Sequence, residues 1–288
     1  MKQAYVLFLS IAWLAACQDP IDLKKLPSYT EKSVINGSLN NLSNIEFSLS
    51  KSAYAYNTSS PGRINSPVII VLEDGQPLSV SYDPVNSKYF TNSRPKPGST
   101  YFISVESENA TALASTKMPN AFSGSSKLVI NGGIDQTGVP SDLISISWTD
   151  NGAENNYYKI NFYYYSELAQ TFVPFSYSTT DQVLLSTETI KTNDGGYVFK
   201  DDLFNGKSKT LSAVPSFGLT SPTAPYKYLI QLRNMSEEYY KYLTTLQRFR
   251  DAQDFGNGLF SEPIVVYSNI NNGLGIWAGT SMVSDTLK

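Results

Sequence analysis

The segment Asn156–Ser166, NYYKINFYYYS, alternates residue by residue between two faces. Tyr158, Ile160, Phe162 and Tyr164 fall on one side, and Tyr157, Lys159, Asn161 and Tyr163 on the other. A period of two is the mark of a half-buried strand, because successive side chains of an extended chain point to opposite faces. The first set is expected to enter a core. The second carries tyrosine among polar groups and is expected to be exposed or to form an interface.

The same pattern recurs on either side. In IEFSLS, Ile45, Phe47 and Leu49 alternate with Glu46, Ser48 and Ser50. PVIIVLEDG is an apolar run closed by the turn pair Asp74-Gly75, and LSVSY, KYF and STYFISVES follow at short spacing. Pro97-Gly98 precedes the last of these, and TALASTKMP reads as a further strand. Short strands punctuated by Gly and Pro predict an immunoglobulin- or fibronectin-like sandwich over residues 33–119. The small, polar stretch NAFSGSSK, from Asn120, marks a boundary. A second β-rich domain, 120–288, then opens with LISISW and continues through the tyrosine-rich strand. EPIVVYSNI is read as a strand, and NNGLGIWAG as a glycine-rich turn with a final strand.

One helix interrupts this, near 236–251. Ser236 is placed to cap it, and Glu237 and Glu238 suit its positive end, with Arg248 and Arg250 toward the other. Tyr239, Leu243, Leu246 and Phe249 make one apolar stripe, which predicts a packing helix. The fold class is therefore mainly β, with two successive β domains and one packing helix.

The amino terminus has another character. After Met1-Lys2, the run AYVLFLSIAWLAA from Ala4 to Ala16 is uncharged. It is shorter than the roughly 20 residues a spanning helix needs and fits the apolar part of a secretory signal, 1–16. Leu14-Ala15-Ala16-Cys17 looks like the lipobox of bacterial lipoproteins, which implies cleavage after Ala16 and lipidation of Cys17, the only cysteine in the chain. Residues 17–32 read as a lipidated, flexible tether. Its 15 residues after Cys17 would reach roughly 50 Å when extended.

Composition excludes several chemistries. There is no histidine among 288 residues, so neither a Ser-His-Asp nor a Cys-His site can form, and no His-ligated metal site can either. The net charge of −3 offers no basic patch for nucleic acid. No cofactor motif occurs, and no metal site is expected. The 25 acidic residues leave a two-carboxylate hydrolase conceivable, with Asp150, Glu154, Asp194, Asp201 and Asp202 near turns. Turn and cap chemistry accounts for the same residues, and no catalytic residue is expected.

Taken in order, the lipobox, VIIVLEDG, PGSTYFISVES, ENNYYKI, FKDDLFNGK, MSEEYYKYLTTL and EPIVVYSNINNGLGIWAG resemble a family of Bacteroidetes outer-membrane lipoproteins, domain of unknown function 4249. Trp277 stands where a smaller aromatic such as phenylalanine is expected. The resemblance implies an accessory lipoprotein encoded beside a TonB-dependent receptor, non-enzymatic, capturing an unknown small ligand. In such lipoproteins, acidic residues just past the anchor, here Asp19 and Asp22, resemble a signal for export to the cell surface. The alternative is a surface adhesin or glycan-binding module, for which the 20 tyrosines would supply stacking platforms.

Overall fold

The computed structural model describes residues 29–53, 62–107, 110–216, 226–254 and 264–288. Lys32–Lys288 form one compact unit. Its first part contains β1 (Ser33–Asn40), β2 (Glu46–Lys51), β3 (Val68–Glu73), β4 (Gln76–Leu78), β5 (Val80–Asp83), β6 (Lys88–Thr91), β7 (Thr100–Glu106) and β8 (Thr111–Lys117). There follow β9 (Gly124–Ile134), β10 (Pro140–Thr149), β11 (Tyr157–Ser166), β12 (Thr171–Pro174) and β13 (Tyr177–Ser178). Then come the short helix α1 (Gln182–Leu185), β14 (Ile190–Lys191), β15 (Tyr197–Lys200), β16 (Ser208–Pro215), β17 (Tyr228–Met235), the long helix α2 (Glu237–Asp254) and β18 (Gly273–Leu287). The chain is mainly β with one packing helix, as the alternating patterns imply.

The strands build three sheets. The largest runs β14-β15-β11-β17-β18-β1-β2-β6-β5, with β12 beside β11. A β4-β3-β7-β8 sheet and a β13-β16-β10-β9 sheet complete the set. Two cores result. Ile35, Phe47, Val71, Tyr101, Ile103 and Trp277 belong to one, and Ile144, Trp148, Tyr158, Ile160, Leu211 and Ile230 to the other. Each fully buried side chain of this size contributes roughly 1.5–3 kcal/mol.

Strand β18 joins the two. Its first half pairs in parallel with β1, Gly273 opposite Ser33 through Thr280 opposite Asn40. Its second half pairs antiparallel with β17, Thr280 opposite Met235 through Leu287 opposite Tyr228. Ile276–Ser281, in its middle, are all buried.

The glycines of the last strand are required by contact. Gly275 has φ +103°, and a Cβ there would lie 2.1 Å from the Ile35 carbonyl oxygen. Across the ladder, a Cβ on Gly37 would lie 2.5 Å from Trp277 Cε3. Gly37 therefore makes the room that an indole needs where a smaller ring was expected. Trp277 is fully buried, and its Nε1 donates to the Tyr101 carbonyl at 3.1 Å. Asn269 brackets its backbone, Nδ2 donating to Trp277 O at 2.7 Å and Oδ1 accepting from Trp277 N at 3.0 Å.

Three expectations need correction. The second face of β11 is not open: Lys159 and Asn161 are buried, at 7% and 1% exposure. Lys159 Nζ pairs with Asp194 at 2.6 Å, and Asn161 Oδ1 accepts from Arg233 at 2.9 Å. Secondly, α2 buries Thr244 and Gln247, while Tyr239, Tyr240, Leu243, Leu246 and Phe249 are half-buried. Gln247 meets a polar part of the surface beneath, bonding both the backbone and the side chain of Asn193. Thirdly, residues 264–270 are not a strand. The segment crosses the edge of β8, where Asn271 and Leu113 exchange backbone hydrogen bonds at 2.8 and 3.0 Å.

Candidate functional site

A run of polar residues between β10 and β11 makes a tight, hydrogen-bonded loop. Asp150 is buried, and its two oxygens accept from Tyr158 Oη at 2.7 Å and Gly206 N at 2.8 Å. Burial, and then the hydrogen bond to Asp150, push the Tyr158 phenol well above its ordinary value. Asn156 N donates to Asp201 at 2.9 Å. Burial raises the Asp201 carboxyl, more than that hydrogen bond lowers it. The Asn156 side chain donates to two carbonyls, Asn151 O at 2.9 Å and Glu154 O at 3.0 Å, and accepts from Asn234 Nδ2 at 2.9 Å.

Above this loop lies a cleft of ≈ 300 Å³. One wall is the chain leaving β8, Lys117–Asn120; a second is Glu154–Tyr157; the third is Asn234–Glu238, where β17 passes into α2. Glu154 Oε1 crosses between walls, accepting from Asn120 Nδ2 at 2.8 Å and Asn151 Nδ2 at 2.9 Å. The third wall is fixed to β18 by Ser236 N donating to Gly279 O at 2.9 Å. Gly279 also lets β18 approach the first wall, since a Cβ there would lie 2.7 Å from Met118 Sδ. Tyr157 packs on Tyr240 at 4.8 Å between centroids. Burial, and then the charge of Glu237, raise its phenol.

Ser236 does not cap α2 through its side chain. Its carbonyl accepts from Tyr239 N and Tyr240 N, whereas its buried Oγ has no partner among the described residues.

Of the carboxylates near turns, Asp150 and Asp201 bind the loop together, and Asp194 holds Lys159, Thr192 and Gly196 N. Burial alone would raise Asp194, but hydrogen bonds from Lys159 and Thr192 bring it down to about 2. The lysine of this pair is itself lowered, because its burial outweighs the carboxylate. Glu154 rims the cleft, and Asp202 is exposed in the turn after β15. Among the described residues, no group of three or more acidic or cysteine side chains could hold a metal ion. Ala16, Cys17, Asp19 and Asp22 lie outside the described residues.

The cleft was not anticipated. Its walls come from three distant segments, and neither KMPN nor MSEE carries a recognisable binding pattern.

No curated protein matches the chain. A solved structure named BspA_C_WT aligns over 73% of this chain and 96% of its own, at 6% identity and a TM-score of 0.20, and nothing is carried over from it. A family model matches residues 18–286, from the position after Cys17 almost to the end of β18. The chain belongs to the family described as Domain of unknown function (DUF4249).

Proposed function

We propose that this chain is a non-enzymatic outer-membrane lipoprotein that serves a TonB-dependent transporter by capturing substrate. Lipid on Cys17 anchors it, and the body faces the cell exterior. The observation that carries the binding part is the junction cleft: its polar walls are locked by hydrogen bonds and by the shared strand β18, so a ligand meets a preformed surface. The fold roles of Asp150, Asp194 and Asp201 favour holding over chemistry. The glycan-binding alternative has less support, since Trp148, Trp277, Tyr101, Tyr158 and Tyr228 are buried in the cores.

Three measurements test the proposal. Cys17→Ala should move the protein from the membrane fraction to the soluble one. Protease added to intact cells should remove the wild-type body. Purification from native membranes should recover a TonB-dependent receptor. Failure to recover it, with uptake through the neighbouring receptor unchanged on deletion, would refute the transporter role. Selective retention on a glycan array would support the alternative.

A further inference from the structure

The orientation of three asparagines determines what the cleft presents. Asn156 Nδ2 sits against two carbonyl oxygens, so it must be the donor there and Asn156 Oδ1 must be an acceptor. Asn234 therefore turns its NH2 toward Asn156. Its own Oδ1 is left without a partner among the described residues, on a residue only 5% exposed that lines the cleft. The same logic applies at Asn120, whose NH2 must face the Glu154 carboxylate and whose Oδ1 accepts no hydrogen bond from the described residues.

The fold thus draws both amide donors into protein bonds; Asn234 Oδ1 stays free on a residue lining the cleft, while Asn120 Oδ1 lies beside Gly98, 3.2 Å from where a Cβ there would sit. Glu154 Oε2 and the Glu238 carboxylate add two more acceptors without partners among the described residues. Three glutamates and one lysine line the cleft, and Glu237 is paired with Lys241 at 2.9 Å, so Glu154 and Glu238 stand against Lys117, an acidic surplus that the first turn of α2 tolerates because its N–H groups favour negative charge. Met118 and Met235 are buried behind the lining, and the half-buried Tyr157 ring gives the cleft an apolar side.

We infer that the cleft binds a ligand through a protonated primary amine, which offers three donors and a positive charge to these oxygens. The inference rests on the substrate-capture reading and adds its ligand class. Two sources of such an amine exist, a small diamine and the free amino terminus of a peptide.

Titration calorimetry on the full chain, purified in detergent, separates them with 1,4-diaminobutane and trialanine as probes. At least one should saturate at millimolar concentration or below, and the one that does identifies the source. Glu238→Gln, at a side chain with no fold partner, should weaken binding about tenfold, and Glu154→Gln should act in the same direction. Lys117→Gln should strengthen it. The acetylated counterpart of each probe should not bind. No saturation by either amine, or equal binding by the acetylated compounds, or indifference to both glutamate variants overturns the inference. If the receptor still co-purifies, the transporter reading stands without it.

Discussion

Replacing Gly37 with alanine would put a methyl carbon 2.5 Å from Trp277 Cε3 and 2.6 Å from Cζ3. Carbon atoms in contact sit roughly 3.5–4.0 Å apart, so the overlap is about 1 Å or more. Phe47 Cβ, 3.1 Å from the added carbon, closes another direction. The indole cannot swing to solvent, because it is fully buried and its Nε1 is bonded to Tyr101 O. Gly37→Ala should therefore cost about 1–3 kcal/mol, as overpacking does. Without the clash the substitution would be mildly stabilising, by restricting the unfolded chain. Trp277→Phe should cost about 2–4 kcal/mol through the cavity and the lost hydrogen bond. The double variant removes the atoms that the new methyl strikes. It should be more stable than the sum of the singles implies, by about 1–2 kcal/mol. Urea unfolding followed by far-UV circular dichroism suits the cycle, since Trp277→Phe changes the fluorophore. Additivity within about 0.5 kcal/mol would refute the reasoning.

Gly275→Ala combines a left-handed backbone with a Cβ 2.1 Å from Ile35 O, in the β1–β18 ladder. It should destabilise by more than about 4 kcal/mol, and a urea midpoint near wild type would contradict that. Asp194, brought down to about 2 in the fold, contributes stability that is complete above its unfolded value of 3.8 and lost as pH falls through both. Half of its side chain is exposed, so the contribution is discounted to about 1 kcal/mol. Asp194→Asn should flatten stability between about pH 4 and 2, and at pH 7 leave buried Lys159 unpaired; Lys159→Met added to it should restore stability, as urea midpoints across pH would show. Deleting Gly273–Lys288 removes a strand from the large-sheet layer over both cores. Neither half should then unfold cooperatively, and a sharp melt from the truncated chain would show that they are independent.

The local pattern of the sequence carried much of the architecture. Ile45 and Phe47 enter the core as their alternation requires, and Asp74-Gly75 and Gly98 adopt the positive φ their turns imply. The start of α2 lies where its two glutamates imply, although Ser236 Oγ does not cap it. Its inward face is not implied in the same way, because Gln247 answers the backbone and side chain of Asn193 and Tyr240 packs on Tyr157, contacts that the helix sequence does not encode. Lys159 reads as exposed until Asp194, far along the chain, arrives to pair with it. The two roles of β18 depend on β1 and β17, its partners from opposite ends of the fold. The cleft shows the same dependence on remote segments: Asn120, Asn156 and Asn234 are ordinary asparagines until their hydrogen bonds orient them.

The pairing of first and last strands has a mechanical consequence. The chain ahead of Ser33 enters the body at the leading end of β1, which lies between parallel β18 and antiparallel β2. Tension applied there and at the carboxyl terminus acts along the strands, in opposite directions. It loads the β1–β18 hydrogen bonds in shear, all together, instead of peeling them one by one. A body pulled through Ser33 and the carboxyl terminus should resist until this seam fails in a single step. Single-molecule extension between the two termini should register that step as the highest-force event, and progressive unzipping at low force would rule the seam out.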